Sequence, residues 1–193
     1  MTHSILDAVY WSNRYQQQQT GWDIGYSSTP LQQYMNSITD KNISILIPGC
    51  GNAYEAEYLV KEKFTDITVL DISPVLTAEL TKKLNHQPIK IITADFFEHE
   101  GQYDLILEQT FFCALHPSQR EAYTKQMHQL LKPGGRLAGV LFNKSFEGGP
   151  PFGGSKEEYE LLFSEYFSIK KMEPCYNSIQ PRSGTELFFI LEK

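Results

Sequence analysis

Two glycines follow the first apolar run of the chain, at a spacing that suits a loop around a cofactor. Residues 42–47 form this run, Pro48 and Gly49 stop it, and Gly51 follows two residues later. Glycines here let backbone amides approach a ligand closely, and the helix start behind them favours a carboxylate or phosphate. The loop alone fits several nucleotide cofactors. Tyr54 stands where a dinucleotide-binding loop needs its third glycine, which argues against NAD or FAD.

Polar residues end the next apolar runs of the chain. Asp71 comes 22 residues after Gly49, where a carboxylate can accept hydrogen bonds from both hydroxyls of a ribose. Asp95 is followed by Phe96, and a polar group beside an aromatic wall suits the exocyclic amine and the face of adenine. Both aspartates also have a simpler interpretation, Asp71 as a helix cap and Asp95 as a solvated turn residue. Gln109 ends the fourth run.

Alternating strand-like and helix-like segments must position these residues. The predicted strands are 42–47, 67–70, 89–93, 103–107, 136–142, 167–172 and 186–191. Helix starts are predicted at Ala53, Ser73, Ser118 and Ser155. Ser118 and Ser155 each begin a capping box, in which a serine is followed three residues later by a glutamate. Residues 132–135, Lys-Pro-Gly-Gly, are expected to end the helix that precedes the fifth strand.

This alternation predicts an α/β fold, with an open, mostly parallel seven-stranded sheet and helices on both faces. Only a short link separates the last two strands, so we expect them to pair antiparallel at one edge. Such sheets bind ligands beyond the carboxyl ends of their strands. Residues 1–193 are expected to form a single domain. The Gly/Pro-rich segment 146–155 is too short for a linker, and we expect an ordered turn or an active-site lid there.

The composition argues against several kinds of partner. A net charge of -6 and a pI of about 5.4, without a local run of Lys or Arg, disfavour a nucleic-acid partner. Three widely spaced cysteines without a CxxC pattern predict reduced thiols and no metal site. No apolar stretch approaches the ~20 residues of a membrane span, and no secretory signal is apparent. We therefore expect a cytoplasmic monomer with no membrane partner.

The glycine loop, Asp71, Asp95 and the Pro-Gly-Gly turn occur in the order found in S-adenosylmethionine-dependent methyltransferases. More specific motifs resemble the thiopurine S-methyltransferase family and, within it, the plant-type thiol and halide methyltransferases. These motifs are Trp11-x3-Tyr15-x6-Trp22-Asp23-x-Gly25, Thr29-Pro30-Leu31, Leu46-Ile47-Pro48-Gly49-Cys50-Gly51, Asp71-Ile72-Ser73, Ala94-Asp95-Phe96-Phe97, Gly148-Gly149-Pro150-Pro151-Phe152 and Pro181-Arg182-x-Gly184-x-Glu186. The resemblance runs over roughly residues 10–193.

The resemblance implies a Rossmann-like class I methyltransferase fold, with S-adenosylmethionine as cofactor and S-adenosylhomocysteine as product. It also implies that residues 1–40 form a helical lid over the cofactor site. The expected cofactor contacts are Trp11, Tyr15, Trp22, Gly49, Gly51, Asp71, Asp95, Phe96 and Gln109. The chain departs from the family at two of these. Tyr15 stands where the halide and thiol enzymes carry Trp, and Gln109 where they carry Tyr and thiopurine enzymes carry Arg.

The implied reaction transfers a methyl group to a small, soft nucleophile, namely a thiol, thiopurine, sulfide or halide. A thiol with a pKa of about 8.5 or lower supplies its own thiolate near neutral pH, so no catalytic residue is assigned as a base. Positioning and desolvation are then the main tasks of the protein. The residues expected to contact this small-molecule acceptor are Trp22, Gln109, Phe111, Phe112, Phe152 and Arg182.

Other interpretations stay open from the sequence alone. Trp11 and Trp22 are of a type that often anchors a core, and Arg182 is equally compatible with the surface. His116 is interpreted as structural and Cys113 as a packed thiol. The alternative function is a non-catalytic regulatory protein that binds S-adenosylmethionine or a nucleotide. A dinucleotide oxidoreductase and a nucleic-acid methyltransferase are weaker alternatives, given the glycine loop and the acidic charge.

Overall fold

The computed structural model describes residues 6–193 and arranges them around one seven-stranded sheet. Its strands are β1 (Ser44–Pro48), β2 (Asp66–Asp71), β3 (Ile89–Thr93), β4 (Tyr103–Gln109), β5 (Leu131–Phe142), β6 (Ser168–Pro174) and β7 (Glu186–Glu192). The α-helices of the described residues are α1 (Ala8–Gln16), α2 (Thr29–Asn36), α3 (Tyr54–Lys61), α4 (Pro74–Lys83), α5 (Arg120–Leu130) and α6 (Lys156–Ser164). Short 3-10 turns lie at Phe96–Glu98, Phe112–Ala114, Pro117–Gln119 and Gln180–Arg182.

The strand order is β3-β2-β1-β4-β5-β7-β6. Strands β1 to β5 pair in parallel, and β7 runs antiparallel between β5 and β6. The predicted mostly parallel sheet with an antiparallel edge is therefore confirmed. The winding reverses between β1 and β4, and the chain leaves these two strands toward opposite faces. A crevice opens at such a point, beyond the carboxyl ends of the strands.

Neighbouring residues of the central strands enter opposite core clusters. In β1, Ile45 and Ile47 pack with α2, α3 and α4, whereas Leu46 packs with α5 and α6. Strand β4 repeats this pattern at Leu105 and Ile106. Because side chains alternate along a strand and both faces are covered, these strands consist of continuous apolar runs. The predicted helices on both faces are confirmed.

Serine caps begin two helices as the sequence predicts. The Ser73 hydroxyl accepts a hydrogen bond from the Leu76 amide at 3.3 Å, with Pro74 in the first turn of α4. Ser155 forms a reciprocal capping box with Glu158 at the start of α6. Each cap satisfies backbone donors that a helix start leaves unpaired.

The capping box predicted at Ser118 is wrong. The box begins two residues earlier, where the His116 ring accepts from the Ser118 amide and the Gln119 side chain accepts from the His116 amide. Pro117 fixes a helical φ directly after this cap and starts a 3-10 turn, so α5 begins only at Arg120. This contact gives His116 the structural role expected of it.

The boundary between α5 and β5 also differs from the prediction. The helix ends at Leu130 and the strand starts at the next residue, earlier than the predicted start at Arg136. Residues 132–135 bulge out of register against β4, and regular pairing resumes at Arg136. A Cβ at Gly135 would lie 2.9 Å from the Lys132 carbonyl oxygen, so glycine is what permits the chain to return so closely.

The two N-terminal helices have different roles. Helix α2 buries Leu31 and Met35 completely, in the same cluster as β1, and so belongs to the core. Helix α1 packs on α4, where the hydroxyls of Ser12 and Ser73 lie 3.0 Å apart. The segment that lines the cavity described below runs from residue 6 to 26, shorter than the predicted lid of residues 1–40. Residues 1–5 of that lid lie outside the described residues.

A buried carboxylate organises the loop that follows β4. Glu108 Oε1 accepts hydrogen bonds from the amides of Phe111 (2.8 Å) and Phe112 (3.0 Å), and Oε2 accepts from the Tyr123 hydroxyl (2.7 Å). Burial raises the pKa of Glu108 from 4.5 to about 7, although these donors oppose the shift. Folding therefore favours the protonated form, and stability falls as the pH rises between these two values.

We expect Glu108→Gln to remove much of this loss of stability between pH 5 and pH 8. The amide oxygen still accepts from the two backbone donors, but no charge forms in the core. A pKa raised this far corresponds to a decline on the order of 3 kcal/mol in the wild-type protein. Denaturant unfolding at several pH values measures it, with the exposed Glu100→Gln as control. If the free energy of unfolding fell equally with pH in the Glu108 variant and the wild type, Glu108 would not be the group that causes the loss.

Candidate functional site

A cavity of about 420 Å³ opens at the carboxyl ends of β1 to β4, where the strand order reverses. This volume lies within the ~300–1,000 Å³ range of small-molecule sites. Most of the residues predicted for the site line the cavity, namely Trp11, Tyr15, Trp22, Gly49, Gly51, Asp71, Asp95, Phe96, Gln109, Phe111 and Arg182. The fold therefore brings together residues that are as far as 171 positions apart (182 − 11) in the chain.

The glycine loop after β1 forms the floor of the cavity. Gly49 and Gly51 have φ angles of +56° and +51°, a conformation that residues with a side chain rarely adopt. A Cβ at Gly49 would lie 2.3 Å from Cδ2 of the Phe111 ring. Glycine at this position thus allows the loop after β4 to pack directly on the loop after β1.

Asp71, the last residue of β2, connects the glycine loop to α4. Its Oδ1 accepts from the Ser73 amide at 2.9 Å, and its Oδ2 accepts from the Gly51 amide at 3.4 Å. Burial raises the pKa of Asp71 to about 6, while the amides of Ser73 and Gly51 oppose the shift. The carboxylate thus closes a turn ahead of Ser73, which is itself the cap of α4, and it also lines the cavity.

Asp95 and Phe96 form the cavity wall beyond β3. Asp95 Oδ1 accepts from the Phe97 amide at 2.9 Å, as a turn residue does. Its Oδ2 has no hydrogen bond within residues 6–193 and is available to a ligand. The Phe96 ring is buried, with its centroid 5.1 Å from that of Phe111, so that it belongs to both the core and the wall.

Three aromatic residues from the N-terminal segment cover the glycine loop. The Trp22 ring makes edge contacts with Trp11 and Tyr15, at centroid distances of 5.5 Å and 5.8 Å. Burial, together with the negative charge of Asp71, raises the pKa of Tyr15 well above its usual range, so the phenol stays neutral. Aromatic faces and a nearby carboxylate provide a site that suits a cation.

A polar contact that the sequence did not reveal holds this segment in place. Asp23 Oδ2 accepts hydrogen bonds from the Asn52 side chain and, at 3.2 Å, from the Tyr54 hydroxyl. Its Oδ1 accepts from the Gly25 amide at 2.7 Å, which closes a local turn. Tyr54, which stands where a dinucleotide-binding loop has its third glycine, thus binds the N-terminal segment. Asp23 lies in the Trp-Asp-x-Gly motif, which was the available signal.

A buried guanidinium group also lines the cavity. Arg182 Nη2 donates to the Trp22 carbonyl oxygen at 3.0 Å, and Nη1 lies 3.5 Å from Glu186 Oε1. The Arg182 side chain is 11% exposed and packs over the Phe142 ring, which excludes the surface interpretation. Its Nη1 forms no hydrogen bond with any residue that the structure describes.

Phe112 and Phe152 do not line the cavity, contrary to the prediction that they contact an acceptor. Phe112 points into the core, where its ring packs edge-on against Tyr123 and Tyr159. A 3-10 turn starts at Phe112, and both phenylalanine rings contact Tyr123, but only Phe111 also lines the cavity. Phe152 packs against the His116 ring, and the neighbouring prolines of its loop, Pro150 and Pro151, reach the cavity instead.

Two cysteines line the cavity as neutral thiols. Burial raises the pKa of Cys113 to about 12, and it raises that of Cys50 as well. Neither thiol is activated as a nucleophile or base. No cluster of three His, Cys, Asp or Glu side chains within residues 6–193 is arranged to hold a metal ion. Among the same residues, no helix is both long enough and apolar enough to span a membrane.

Comparisons with known proteins identify the family of the chain. A family model described as thiopurine S-methyltransferase matches residues 6–188. Probable thiol methyltransferase 2 of Arabidopsis thaliana is 31% identical over 184 residues, spanning 91% of this chain and 81% of that protein. Thiocyanate methyltransferase 1 of the same plant is 28% identical over 194 residues, spanning 95% and 84%.

A solved structure shares the fold. It is the 1,6-didemethyltoxoflavin-N1-methyltransferase of Burkholderia thailandensis, which contains bound S-adenosylhomocysteine. Its TM-score to this chain is 0.75 at 17% identity, and the match covers 96% of this chain and 86% of that one.

Fold and family together define a Rossmann-like class I methyltransferase that uses S-adenosylmethionine and methylates a small nucleophile. The chain belongs to the thiopurine S-methyltransferase family. The residues of the cavity fit this cofactor. Asp71 offers a carboxylate to a ribose diol, and the glycine loop allows close backbone approach. Aromatic rings from Trp11 and Trp22 suit a sulfonium cation.

We expect Gly49→Ala to weaken binding of S-adenosylmethionine by about tenfold or more, because the added Cβ strains the backbone and displaces Phe111. Isothermal titration calorimetry measures the affinity. Gly21→Ala is the matched control, since Gly21 also lines the cavity but has open space around its Cβ position. An unchanged affinity in the Gly49 variant, with the fold intact, would show that the loop conformation does not matter for binding.

Proposed function

We propose that the cofactor lies along the cavity from β3 to β1. Asp71 accepts hydrogen bonds from the ribose hydroxyls, and Asp95 with Phe96 contacts the adenine. Gly49 and Gly51 face the methionine portion. The aromatic rings of Trp11, Tyr15 and Trp22 cover it, and Gln109 lies where the methyl group is presented. The support for this arrangement is the position of each residue in one cavity and the order of the strands that carry them.

We further propose that the acceptor is a small, soft nucleophile that carries negative charge, namely a thiolate, thiopurine, sulfide or halide. The observation that carries this proposal is the buried Arg182 guanidinium, which lines the cavity, is ion-paired with Glu186 at 3.5 Å and makes only a long contact through Nη1. Apolar groups surround the acceptor end, from Phe111, Phe142 and Pro151. A fixed cation in such a site favours a weakly hydrated anion.

The chain's own residues then act by positioning and by excluding water. S-adenosylmethionine supplies an activated methyl group whose leaving group is neutral. Arg182 and Gln109 hold the acceptor in line, while Trp22 and Pro151 keep solvent away from it. Because a small thiol ionises near neutral pH, the site needs no general base. The neutral thiols of Cys50 and Cys113 are consistent with that division of tasks.

Residues 6–26 form the proposed lid. The hydrogen bonds of Asp23 to Asn52 and Tyr54 close this segment over the glycine loop, and the Ser12–Ser73 contact joins α1 to α4. Opening requires that these side-chain contacts break while α2 stays in the core. A monomeric state, a cytoplasmic location and the absence of nucleic-acid partners stay predictions of the sequence.

The pH dependence of cofactor binding tests the role of Asp71. Its pKa of about 6 in the free protein must fall when ribose hydroxyls donate to the carboxylate, so affinity rises with pH. Only about one carboxyl in ten is ionised at one unit below its pKa, so we expect a gain of up to about tenfold between pH 5 and pH 7. Calorimetric titration across this range measures it.

Variants separate Asp71 from other titrating groups. Asp71→Asn should bind the cofactor more weakly at pH 7, by about tenfold or more, and should lose the pH dependence. Asp66→Asn, at the exposed start of the same strand, should retain the wild-type profile. If Asp71→Asn kept the full pH dependence, the ribose contact would belong to another residue.

An acceptor screen tests the function itself. Purified protein with S-adenosylmethionine is offered a small alkanethiol, a thiopurine, sulfide, iodide and thiocyanate, and formation of S-adenosylhomocysteine is measured. We expect turnover with soft anionic acceptors and none with a primary amine or an alcohol. Binding of the cofactor without turnover on any acceptor would favour the non-catalytic alternative.

We expect Gln109→Ala to raise the KM for the acceptor about fivefold or more, the factor that one lost hydrogen bond implies, at an unchanged kcat. Gln102→Ala is the matched control, since Gln102 is exposed and hydrogen-bonds only to the Gln129 carbonyl oxygen. Steady-state kinetics with the best acceptor of the screen measures both. An unchanged KM in the Gln109 variant would remove Gln109 from the acceptor site.

A further inference from the structure

Ser28 occupies a helix cap position without forming a cap. It is the N-cap residue of α2, yet its hydroxyl accepts no hydrogen bond from the first turn of that helix. Serine at an N-cap ordinarily accepts from a backbone amide. Here the hydroxyl donates to Gln109 Oε1 at 2.8 Å, across a separation of 81 residues. The Ser28 side chain thus hydrogen-bonds to the last residue of β4 instead of to the first turn of α2.

The backbone of Ser28 is fixed as well. Its amide donates to Glu55 Oε1 at 3.1 Å, and both residues are buried. Glu55 is in the first turn of α3, directly behind the glycine loop. A chain of two hydrogen bonds therefore runs from Glu55 through Ser28 to Gln109, joining three elements that meet at the cavity.

In this arrangement the Nε2 end of the Gln109 amide faces the cavity. With Oε1 bound to Ser28, the Nε2 group is turned away from the protein interior. It has no hydrogen-bond partner within residues 6–193 and is not sealed from solvent, so it opens into the cavity that Gln109 lines. The wall thus presents an N–H donor instead of a carbonyl oxygen, and a donor attracts an anion or a lone pair.

We propose that Ser28 is a positioning residue that makes the acceptor site selective for soft anions, by holding the Gln109 amide with its Nε2 group toward the cavity. This inference rests on the proposed function and names a determinant of its acceptor specificity. Without the Ser28 hydroxyl, the amide is free to rotate and to present its oxygen, which repels a thiolate or halide. Cofactor contacts do not involve Ser28, which does not line the cavity.

Anion binding without turnover tests the proposal directly. Thiocyanate and iodide are titrated into the complex of the protein with S-adenosylhomocysteine, and calorimetry measures their affinities. Ser28→Ala should weaken both anions about fivefold, the factor of one lost hydrogen bond, with affinity for S-adenosylhomocysteine unchanged. Ser28→Thr, which keeps a hydroxyl, should restore anion binding. Ser37→Ala, at the exposed end of α2, is the matched control, because the Ser37 hydroxyl hydrogen-bonds only to the Tyr34 carbonyl oxygen, away from the cavity.

A double-mutant cycle separates positioning from a general effect on folding. In the Gln109→Ala background, Ser28→Ala should cause no further loss of anion affinity. An equal loss in both backgrounds, or no loss in either, overturns the role of Ser28. The proposed function is judged separately by the acceptor screen. If the wild-type protein turns over soft acceptors but Ser28→Ala leaves the anion affinities unchanged, the proposed function stands and the role of Ser28 is wrong.

Discussion

The buried carboxylate of Asp71 is the constraint on which the rest of the site depends. It ends β2, accepts the Gly51 amide from the loop after β1 and accepts the Ser73 amide at the start of α4. Ser73 in turn contacts Ser12 of α1. A carboxylate with raised pKa is costly to bury unless donors surround it, so the loop and both helices are held where those donors are needed. The cavity, and with it the proposed cofactor site, is built around that requirement.

The strand ends that form the floor and walls of the cavity are held more firmly than the N-terminal segment that covers it. The floor and walls come from strand ends whose neighbours are fully buried, and Glu108 fixes the loop that carries Phe111. The cover is held mainly by side-chain contacts, of which those of Asp23 are the most direct. Opening such contacts disturbs little apolar burial, which makes residues 6–26 the cheapest part of the site to move.

The sequence predicts the residues that follow directly from strand periodicity. Gly49, Asp71 and Asp95 each follow a strand, and parallel strands bring such positions to one edge. The prediction that Phe112 contacts the acceptor is wrong because Thr110, with a φ of +60°, turns the chain out of strand geometry. Beyond that residue, the alternation of a strand no longer indicates which phenylalanine faces the cavity. Ser28 and Glu55 were missed for a different reason. Their partners are distant in sequence, and a local motif contains no information about such pairs.

In the proposed mechanism, the charge and the hydrogen-bond donors of the cavity position the acceptor, and no residue acts as a base. Four carboxylates line the cavity (Asp23, Glu55, Asp71 and Asp95), and two arginines, Arg14 and Arg182, do so as well. The proposed anionic acceptor is repelled by the carboxylates and attracted by the arginines, of which Arg182 lies with Gln109 and the apolar ring of Phe142 in the proposed acceptor site. In the proposed arrangement, the N–H groups of Arg182 and Gln109 hold the nucleophile beside the apolar rings of an otherwise acidic cavity. Selectivity and in-line positioning then have the same physical origin.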